Sequence, residues 1–355
     1  MSESKKTTPP SSGSGTSSTA SISQSCSAPQ TKMCELDKIQ YKLDGVWKDV
    51  PRGGFKDIGK GTSITFKAIM KHSGSKWPSG YPKWEGDASG ANETMKVTFN
   101  TSGARNISAT CGNKITVPIE VDVANQSVDI TWPNADYTCD NSIGDATTNE
   151  KPFVVEYFAS ADIDNNKWML RVKKITGGAK IRVRMGSFKN PAPGVNITTR
   201  GQAIAAINDM LKESKTNGPA STWCTEAAIR AHEQWHYDEW KCSSNHYWKK
   251  TETAIEKLTV KYSDYIGNEN NAVNAMKNTA KAIIRNFKQN KARTYWMRLG
   301  DNPGDRPYRA GGVVLNNNIN AVRNWAEANP RKWVVPGGVN AAPQDNKKCY
   351  LSFPP

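Results

Sequence analysis

Between residues 34 and 125, hydrophobic and polar positions alternate in short runs. The runs are TSITFKAIM, TMKVTFN, NISATCG and ITVPIEVDV, and Gly, Pro and Asn separate them. Alternation with a period of two, broken by frequent turn residues, is typical of half-buried strands in a β-sandwich. The pattern therefore predicts a sandwich over 34–125.

The alternation continues from residue 126 to residue 198 in PFVVEYFASADI, KWMLRVKKI and AKIRVRM. The Thr-Gly-Gly between the last two runs predicts a hairpin turn. From residue 199 onwards, apolar residues recur at helical spacing, and a capping box formed by Thr199 and Gln202 predicts the first helix. Three more helices are predicted, from Ser221 or Thr222 onwards and over 268–293 and 317–328.

These elements predict an α+β fold class, with a β-sandwich followed by a mixed domain that has a few strands and a helical body. The second domain covers 126–355, β-rich over 126–198 and helical over 199–330. Residues 1–33 are mostly Ser, Thr, Gly, Pro and Lys and predict a flexible leader. The leader lacks the apolar run of a signal peptide, and no stretch of the chain is apolar for long enough to predict a transmembrane segment.

The net charge of +15, with a pI of about 9.4, favours acidic partners. Nucleic acid, an anionic cell-wall polymer and a membrane surface all satisfy that condition. The Lys and Arg residues are scattered along the sequence, and no nucleic-acid-binding module is recognisable. A specific nucleic-acid partner is therefore not predicted.

The cysteines are widely spaced, and none of them forms a CxxC pair that would indicate a zinc ribbon or a redox site. Wide spacing favours disulfides formed in an oxidising compartment. Together with the absent signal peptide, this predicts export or an extracellular location without a cleaved signal. The seven cysteines are Cys26, Cys34, Cys111, Cys139, Cys224, Cys242 and Cys349.

The stretch AHEQWHYDEW, residues 231–240, holds two of the chain's four histidines. Residues four apart share a helix face, so His232 and His236 can bind one cation. Zinc accepts two such imidazole nitrogens, a third ligand and a water. Glu233 would then serve as general base for that water and as general acid for the leaving amine. Trp235, Tyr237 and Trp240 are predicted to be packing residues.

Two resemblances follow from these motifs. The segment KWPSGYPKWEGDASGANETMKVTFNTSGARNISATCGNKITVPIEV resembles bacterial Ig-like and PKD-like modules, which implies a spacer or adhesive role for that part of the chain. The HExxH motif resembles that of the zincin metallopeptidases, which implies peptide-bond hydrolysis with His232 and His236 as zinc ligands and Glu233 as catalytic residue. The longer pattern H-E-Q-x-H-[FY]-D, from His232 to Asp238, is similar to that of a poorly characterised group of predicted bacterial extracytoplasmic zinc proteases.

Departures from these patterns bear on the third zinc ligand. A metzincin would have Gly at position 239 and His at position 242, where this chain has Glu239 and Cys242. A gluzincin would have a glutamate from a following helix about twenty residues past the second histidine. Glu256 lies at that distance, which favours the gluzincin class here. Its usual acidic partner is replaced by Val260. Five candidates for the third ligand stay open, namely Glu256, Glu252, His246 (if the helix breaks at CSSN), Asp301 and Cys242.

The resulting hypothesis is a zinc-dependent metallopeptidase that cleaves peptide bonds in protein or in cell-wall peptide, as an exported bacterial effector or toxin. Its cofactor would be Zn²⁺, and its partners would be a protein or peptide substrate and an anionic cell-wall polymer. The alternative is a non-catalytic adhesin or cell-wall-binding protein with a structural metal site. A third hypothesis, nucleic-acid binding through the excess positive charge, predicts affinity that falls steeply with salt.

Overall fold

The computed structural model describes residues 34–72, 76–122, 127–216, 222–299 and 306–328. The leader expected over 1–33 lies outside these ranges, as do Asp301, Cys26 and Cys349. Of the helices within them, none has the length and hydropathy needed to cross a membrane.

Fourteen strands in the described part of the chain form three sheets. The strands are β1 Leu36–Leu43, β2 Val46–Asp49, β3 Phe55–Ile58, β4 Ser63–Met70, β5 Lys83–Gly86, β6 Thr94–Thr98, β7 Gly103–Cys111, β8 Asn113–Val121, β9 Asp136–Asp140, β10 Thr147–Glu150, β11 Val154–Asp162, β12 Lys167–Thr176, β13 Ala179–Arg184 and β14 Thr259–Lys261. The helices are α1 Arg200–Thr216, α2 Glu226–Glu256, α3 Glu269–Asn286, α4 Thr294–Arg298 and α5 Arg306–Glu327, with a 3₁₀ turn at Tyr262–Asp264 and a π-helical segment at Phe287–Arg293.

A four-stranded sheet, in the order β2-β1-β4-β6, packs on a seven-stranded sheet, in the order β14-β12-β11-β3-β8-β7-β5. Aromatic rings fill the space between them, because Phe55 of β3 lies 5.0 Å from Tyr41 of β1 and 6.0 Å from Phe66 of β4, measured between ring centroids. The Cys34–Cys111 disulfide links the segment before β1 to the end of β7. It closes a loop of 77 residues and confirms that the chain forms disulfides.

The third sheet, in the order β10-β13-β9, packs against α2 through β10 and β13. Strand β10 pairs with β13 on one side only among the described strands, so β10 is an edge strand. Helix α5 also packs along α2, and α1 packs on α5. The first half of α2 is thus enclosed between a sheet edge and a second helix.

Helix α2 is 31 residues long, and its sequence contains neither Gly nor Pro, which explains why it runs unbroken. It begins after Thr225, whose extended backbone places it at the N-cap, and Glu226 in the first turn complements the helix dipole. A continuous row of buried residues, including Glu233, Tyr237 and Trp240, faces the core. The helix therefore starts a few residues later than Ser221 or Thr222 and extends much further than expected.

Several sequence predictions are confirmed. The runs of alternating residues correspond to strands β4, β6, β7, β8, β11, β12 and β13. The capping box is present: Thr199 N donates to Oε1 of Gln202 at 3.0 Å, and Gln202 N donates to Oγ1 of Thr199 at 3.2 Å. The last helix, expected over 317–328, begins earlier, at Arg306.

The hairpin predicted at Thr-Gly-Gly is wrong, because β12 and β13 belong to different sheets. At this point the chain passes from one sheet to the next. Gly177 lies against the indole of Trp132, where a Cβ would be 2.3 Å from a ring carbon. The glycine is required by that close approach rather than by a turn between paired strands.

The predicted α+β fold class, with an Ig-like sandwich followed by a zincin-like domain of few strands and a helical body, is also wrong. Six strands follow residue 125, and three of them, β11, β12 and β14, extend the same sheet that contains β3, β5, β7 and β8. The described part of the chain is instead rich in β-structure, with three sheets. Two of the later strands have the sequences DYTCD and TTNE, whose apolar residues are too few to predict a strand.

Candidate metal and catalytic site

The two histidines of the HExxH motif converge on each other. His232 and His236 lie one turn apart on α2, and their Nε2 atoms are 3.2 Å apart. Their rings meet edge to face, with centroids 4.9 Å apart and an interplanar angle of 75°. The helix thus brings the Nε2 atoms of the two predicted ligands into contact.

This separation fits a shared zinc ion. Two nitrogens bound to one tetrahedral zinc at about 2.0–2.1 Å lie roughly 3.3–3.4 Å apart. The observed 3.2 Å between Nε2 atoms is close to that value. In the absence of metal, the same distance allows one Nε2–H to donate a hydrogen bond to the other Nε2.

Glu233 lies on the adjoining buried face of α2, and only 5 % of its surface is exposed. Thr148 of the edge strand β10 contacts it: Oγ1 lies 2.6 Å from Oε2 of Glu233 and 2.8 Å from its backbone oxygen. The single hydroxyl proton of Thr148 can be donated to either acceptor. Strand β10 therefore holds the carboxylate that directly follows the first histidine.

Two further helices close around the histidines. Gly311 of α5 lies so near α2 that a Cβ there would be 3.0 Å from Ala228 O and 3.5 Å from Cβ of His232. From the opposite direction, Nε1 of Trp296 in α4 donates to the backbone oxygen of His236 at 3.0 Å. Only a small residue at position 311 allows this approach of α5 to the histidine turn.

Glu239, one turn beyond His236, faces the other nitrogen of that ring. Its Oε2 is 3.4 Å from Nδ1 of His236, and its Oε1 accepts from Nε1 of Trp235 at 3.0 Å. The sequence interpretation treated Glu239 only as a departure from the metzincin pattern. The signal that could have found it is its position three residues after a histidine ligand, which places both side chains on one helix face.

Three of the five open candidates for a third zinc ligand lie too far along the unbroken helix. His246 is exposed and lies fourteen residues after His232, about 21 Å along the axis. Glu252 and Glu256 lie sixteen and twenty residues after His236, about 24 and 30 Å away. The gluzincin arrangement, in which the third ligand comes from a separate helix, is therefore not formed by these two residues.

Glu252 and Glu256 also have other partners. Glu252 accepts from Oγ of Ser127 at 2.5 Å and from the backbone N–H of Val128 at 2.7 Å. Glu256 lies 3.2 Å from Nη1 of Arg171. Both carboxylates anchor α2 to neighbouring chain segments.

The fourth candidate, Cys242, is disulfide-bonded and cannot supply a thiolate. The fifth, Asp301, lies outside the described residues. Within the ranges that the structure describes, no group of three His, Cys, Asp or Glu residues is placed to hold a metal ion. The described site thus supplies two histidine donors of the three that a catalytic zinc needs.

The aromatic residues of the motif are packing residues, as predicted. Trp235, Tyr237 and Trp240 are buried. The hydroxyl of Tyr237 donates to Pro133 O at 2.6 Å, and burial raises the pKa of this phenol to about 12. These side chains fix α2 on the core and leave the histidines on its flank.

Comparison with known proteins assigns no family. No protein-family model matches the chain, and no curated protein matches it. Among solved structures, domains 4 and 5 of the S-layer protein SbsC are similar at 20 % identity, covering 25 % of this chain and 46 % of that chain, with a TM-score of 0.18. Domains 1–6 of SbsC give 16 % identity over 39 % of this chain and 23 % of that chain, with a TM-score of 0.18. Domains 5–6 give 15 % identity over 42 % of this chain and 99 % of that chain, with a TM-score of 0.17.

The matched part of this chain spans less than half the length of the first of these structures. TM-scores of this size carry no conclusion about fold or function. What the chain does must therefore be argued from its own residues.

Proposed function

We propose that this protein is a zinc-dependent metallopeptidase that hydrolyses peptide bonds. The observation that supports this most is the convergence of Nε2 of His232 and Nε2 of His236 to 3.2 Å on one helix, directly beside the buried Glu233. Each residue type meets a requirement of the reaction. Two neutral imidazoles provide metal ligands, and a carboxylate provides a proton acceptor.

His232 and His236 would hold the zinc ion, together with a third donor outside this pair. When bound, zinc supplies Lewis acidity, lowering the pKa of a water and polarising a carbonyl oxygen. The enclosure of the histidine turn by α5, α4 and β10 limits the access of bulk water. A site of this kind strengthens the electrostatic interactions inside it.

Glu233 would accept a proton from the attacking water at its carboxylate and later donate that proton to the leaving amine. The hydrogen bond from Thr148 at 2.6 Å fixes the orientation of the carboxylate and stabilises its ionised form. Because Glu233 is buried, its ionised form depends on such partners. Thr148 therefore keeps Glu233 ready to act as a base.

The edge strand β10 supports a peptide rather than a small molecule as substrate. Among the described strands, β10 is paired on one side only, and extended peptides bind such sheet edges by the same hydrogen bonds that pair strands. Thr148 of this strand contacts Glu233, so a peptide laid along β10 would pass close to the catalytic carboxylate. This applies equally to a protein substrate and to a cell-wall peptide.

The disulfides support an extracellular or exported site of action. Cys34 and Cys111 are bonded to each other, and Cys242 is also disulfide-bonded. Disulfides persist in oxidising environments and are rare in cytosolic proteins. An exported bacterial effector or toxin is the role most consistent with a chain of this kind.

The direct test compares the wild-type protein with Glu233→Gln in two assays, zinc content and cleavage of a quenched-fluorescence peptide library. We expect both proteins to bind one zinc, and we expect the variant to lose turnover by about 10²–10⁴-fold because it lacks the general base. Thr147→Val serves as control, since neighbouring strand residues point to opposite faces. A wild-type protein that binds no zinc, or a fully active Glu233→Gln variant, would refute the proposal.

The rival function is a non-catalytic adhesin or wall-binding protein whose metal is structural, and one observation favours it. Residues 270–299 contain seven Lys or Arg residues and no Asp or Glu. Lys277, Lys281 and Arg285 are exposed at four-residue spacing on α3, and no carboxylate in the described ranges pairs with them. Such a basic face suits an anionic polymer. If this alternative function is correct, the wild-type protein and Glu233→Gln both bind zinc, and neither of them cleaves any peptide.

A further inference from the structure

We propose that Glu239 is a positioning residue that fixes the tautomer and the orientation of His236. This inference deepens the proposed zinc site and rests on it. It gives a role to the residue that separates this chain from the metzincin pattern. Glu239 would not bind the metal itself but would act through the imidazole of His236.

The geometry places each oxygen of Glu239 against one group of α2. Oε1 accepts from Nε1 of Trp235 at 3.0 Å, which holds the carboxylate in a single orientation. Oε2 then lies 3.4 Å from Nδ1 of His236. It is buried and makes no hydrogen bond with His236 or with any other group in the described part of the chain. Only 13 % of each of the two side chains, Glu239 and His236, is exposed.

A buried carboxylate oxygen without a donor is costly, and the donor that faces it is the imidazole of His236. If Nδ1 carries the ring proton, its N–H attracts the carboxylate oxygen Oε2 across 3.4 Å, and Nε2 of the same ring keeps its lone pair. That lone pair is directed at Nε2 of His232, 3.2 Å away. The Nδ1–H tautomer of His236, which Glu239 favours, is therefore also the tautomer that can bind zinc through Nε2.

The contact between Glu239 and His236 also determines which ring nitrogens carry protons in the metal-free protein. With the Nδ1–H tautomer at His236, its Nε2 can only accept, so the proton between the two rings belongs to Nε2 of His232. For His232 to bind zinc through Nε2, the proton of that ring would have to move from Nε2 to Nδ1, whereas the ring of His236 would stay unchanged. Glu239 thus removes one step of reorganisation from metal binding, because one of the two ligands is already in its binding form.

The first experiment measures ¹⁵N chemical shifts of the histidine ring nitrogens in the metal-free full-length protein. We expect His236 to be protonated at Nδ1 and not at Nε2 in the wild type, and to become a mixture of tautomers in Glu239→Gln. This measurement does not need zinc, so it stands even if the proposed function fails. A wild-type His236 that is protonated at Nε2 would overturn the inference.

The second experiment measures zinc affinity by competition with a chelator, and the absorption spectrum of the Co²⁺-substituted protein. Loss of such a supporting carboxylate costs about 10–100-fold in metal affinity. We expect Glu239→Gln to show that loss and an altered Co²⁺ spectrum, and Glu239→Asp to recover part of both. Unchanged affinity in a Glu239→Gln protein with unchanged circular dichroism would contradict the positioning role while leaving the zinc site intact.

The matched control is Asp238→Asn, which removes the same charge one residue earlier. Oδ1 of Asp238 interacts with Lys241 at 3.0 Å and with Gln234 at 3.3 Å. We expect this variant to change zinc affinity by less than about 3-fold, since the carboxylate of Asp238 contacts Lys241 and Gln234, whereas the carboxylate that faces Nδ1 of His236 is that of Glu239. An equal loss in both variants would assign the effect to net charge rather than to the contact with His236, and would also overturn the inference.

Discussion

The two halves of helix α2 use the same residue types in opposite ways. In the first half, His232 and His236 direct their Nε2 atoms at each other, and the nearby carboxylates of Glu233 and Glu239 lie against Thr148 and the ring of His236. In the second half, Glu252 binds the backbone and side chain of a neighbouring loop, and His246 is exposed. One continuous helix therefore carries a candidate site at one end and structural anchors at the other.

The difference comes from what each half packs against. The first half is covered by a sheet edge and by α5, so its polar groups are enclosed and must satisfy one another. The second half meets the loop at Ser127 and Val128, and Trp248 Nε1 donates to the Val128 backbone oxygen at 2.5 Å. A buried carboxylate or histidine indicates function only when its partners leave it available for chemistry.

The largest effect that separates the two halves is expected in metal binding. His232→Ala removes one of the two convergent nitrogens. Because a catalytic zinc needs three protein ligands, we expect zinc affinity to fall by more than about 100-fold in this variant. His246→Ala on the same helix should leave affinity unchanged, because His246 is exposed and lies fourteen residues after His232, about 21 Å along the axis. Isothermal titration with zinc distinguishes the two variants.

If both histidine variants lost zinc equally, the comparison between the halves would fail. Equal loss would mean that the second half also contributes a ligand, against the axial separation of about 21 Å along α2.

The next effect concerns stability. Glu252→Ala leaves the hydroxyl of Ser127 and the N–H of Val128 without their acceptor, and we expect the free energy of unfolding to fall by about 2–4 kcal/mol. Thr253→Ala, at the neighbouring exposed position, should change it by less than about 0.5 kcal/mol. Urea denaturation followed by tryptophan fluorescence provides both values.

Zinc affinity of the folded Glu252→Ala protein should be unchanged. A Glu252→Ala variant with wild-type stability and weakened zinc binding would show that Glu252 belongs to the zinc site and is not a structural anchor of α2.

The smallest effect is expected at Thr148. Thr148→Val keeps the shape of the side chain but removes the hydrogen bond to Oε2 of Glu233. We expect kcat/KM for a cleaved peptide to fall about 10-fold, because a hydrogen bond to a charged group contributes about 1.5–3 kcal/mol and part of it supports the transition state. Zinc content should not change. An unchanged kcat/KM would show that strand β10 does not position the base.

The convergence of the two histidines was easier to predict from the amino-acid sequence than the architecture around them. Spacing alone placed His232 and His236 on one face, since a helix requires only local geometry. Strands β9 and β10 were missed because DYTCD and TTNE lack apolar alternation, and they are held by pairing with β13 rather than by their own side chains. Thr148 was missed with them.

The third ligand could not be found by counting residues along the chain. Glu256 has the gluzincin spacing, but it could reach the histidines only if a loop followed His236, and α2 instead continues to Glu256. Neither Gly nor Pro interrupts this stretch, but the length of a helix is set by the core it covers and not by its sequence alone. The partnership of Glu239 with His236 is local and could have been predicted from their spacing.

The central claim is that Nε2 of His232 and Nε2 of His236 bind one zinc ion. Its most direct test is an anomalous difference map at the zinc absorption edge, from crystals of the full chain grown with stoichiometric zinc. The account predicts one peak about 2.0–2.1 Å from both Nε2 atoms, and a loss of that peak in His232→Ala crystals. A map with no peak between these two nitrogens, from protein that is otherwise folded as described, would contradict the account.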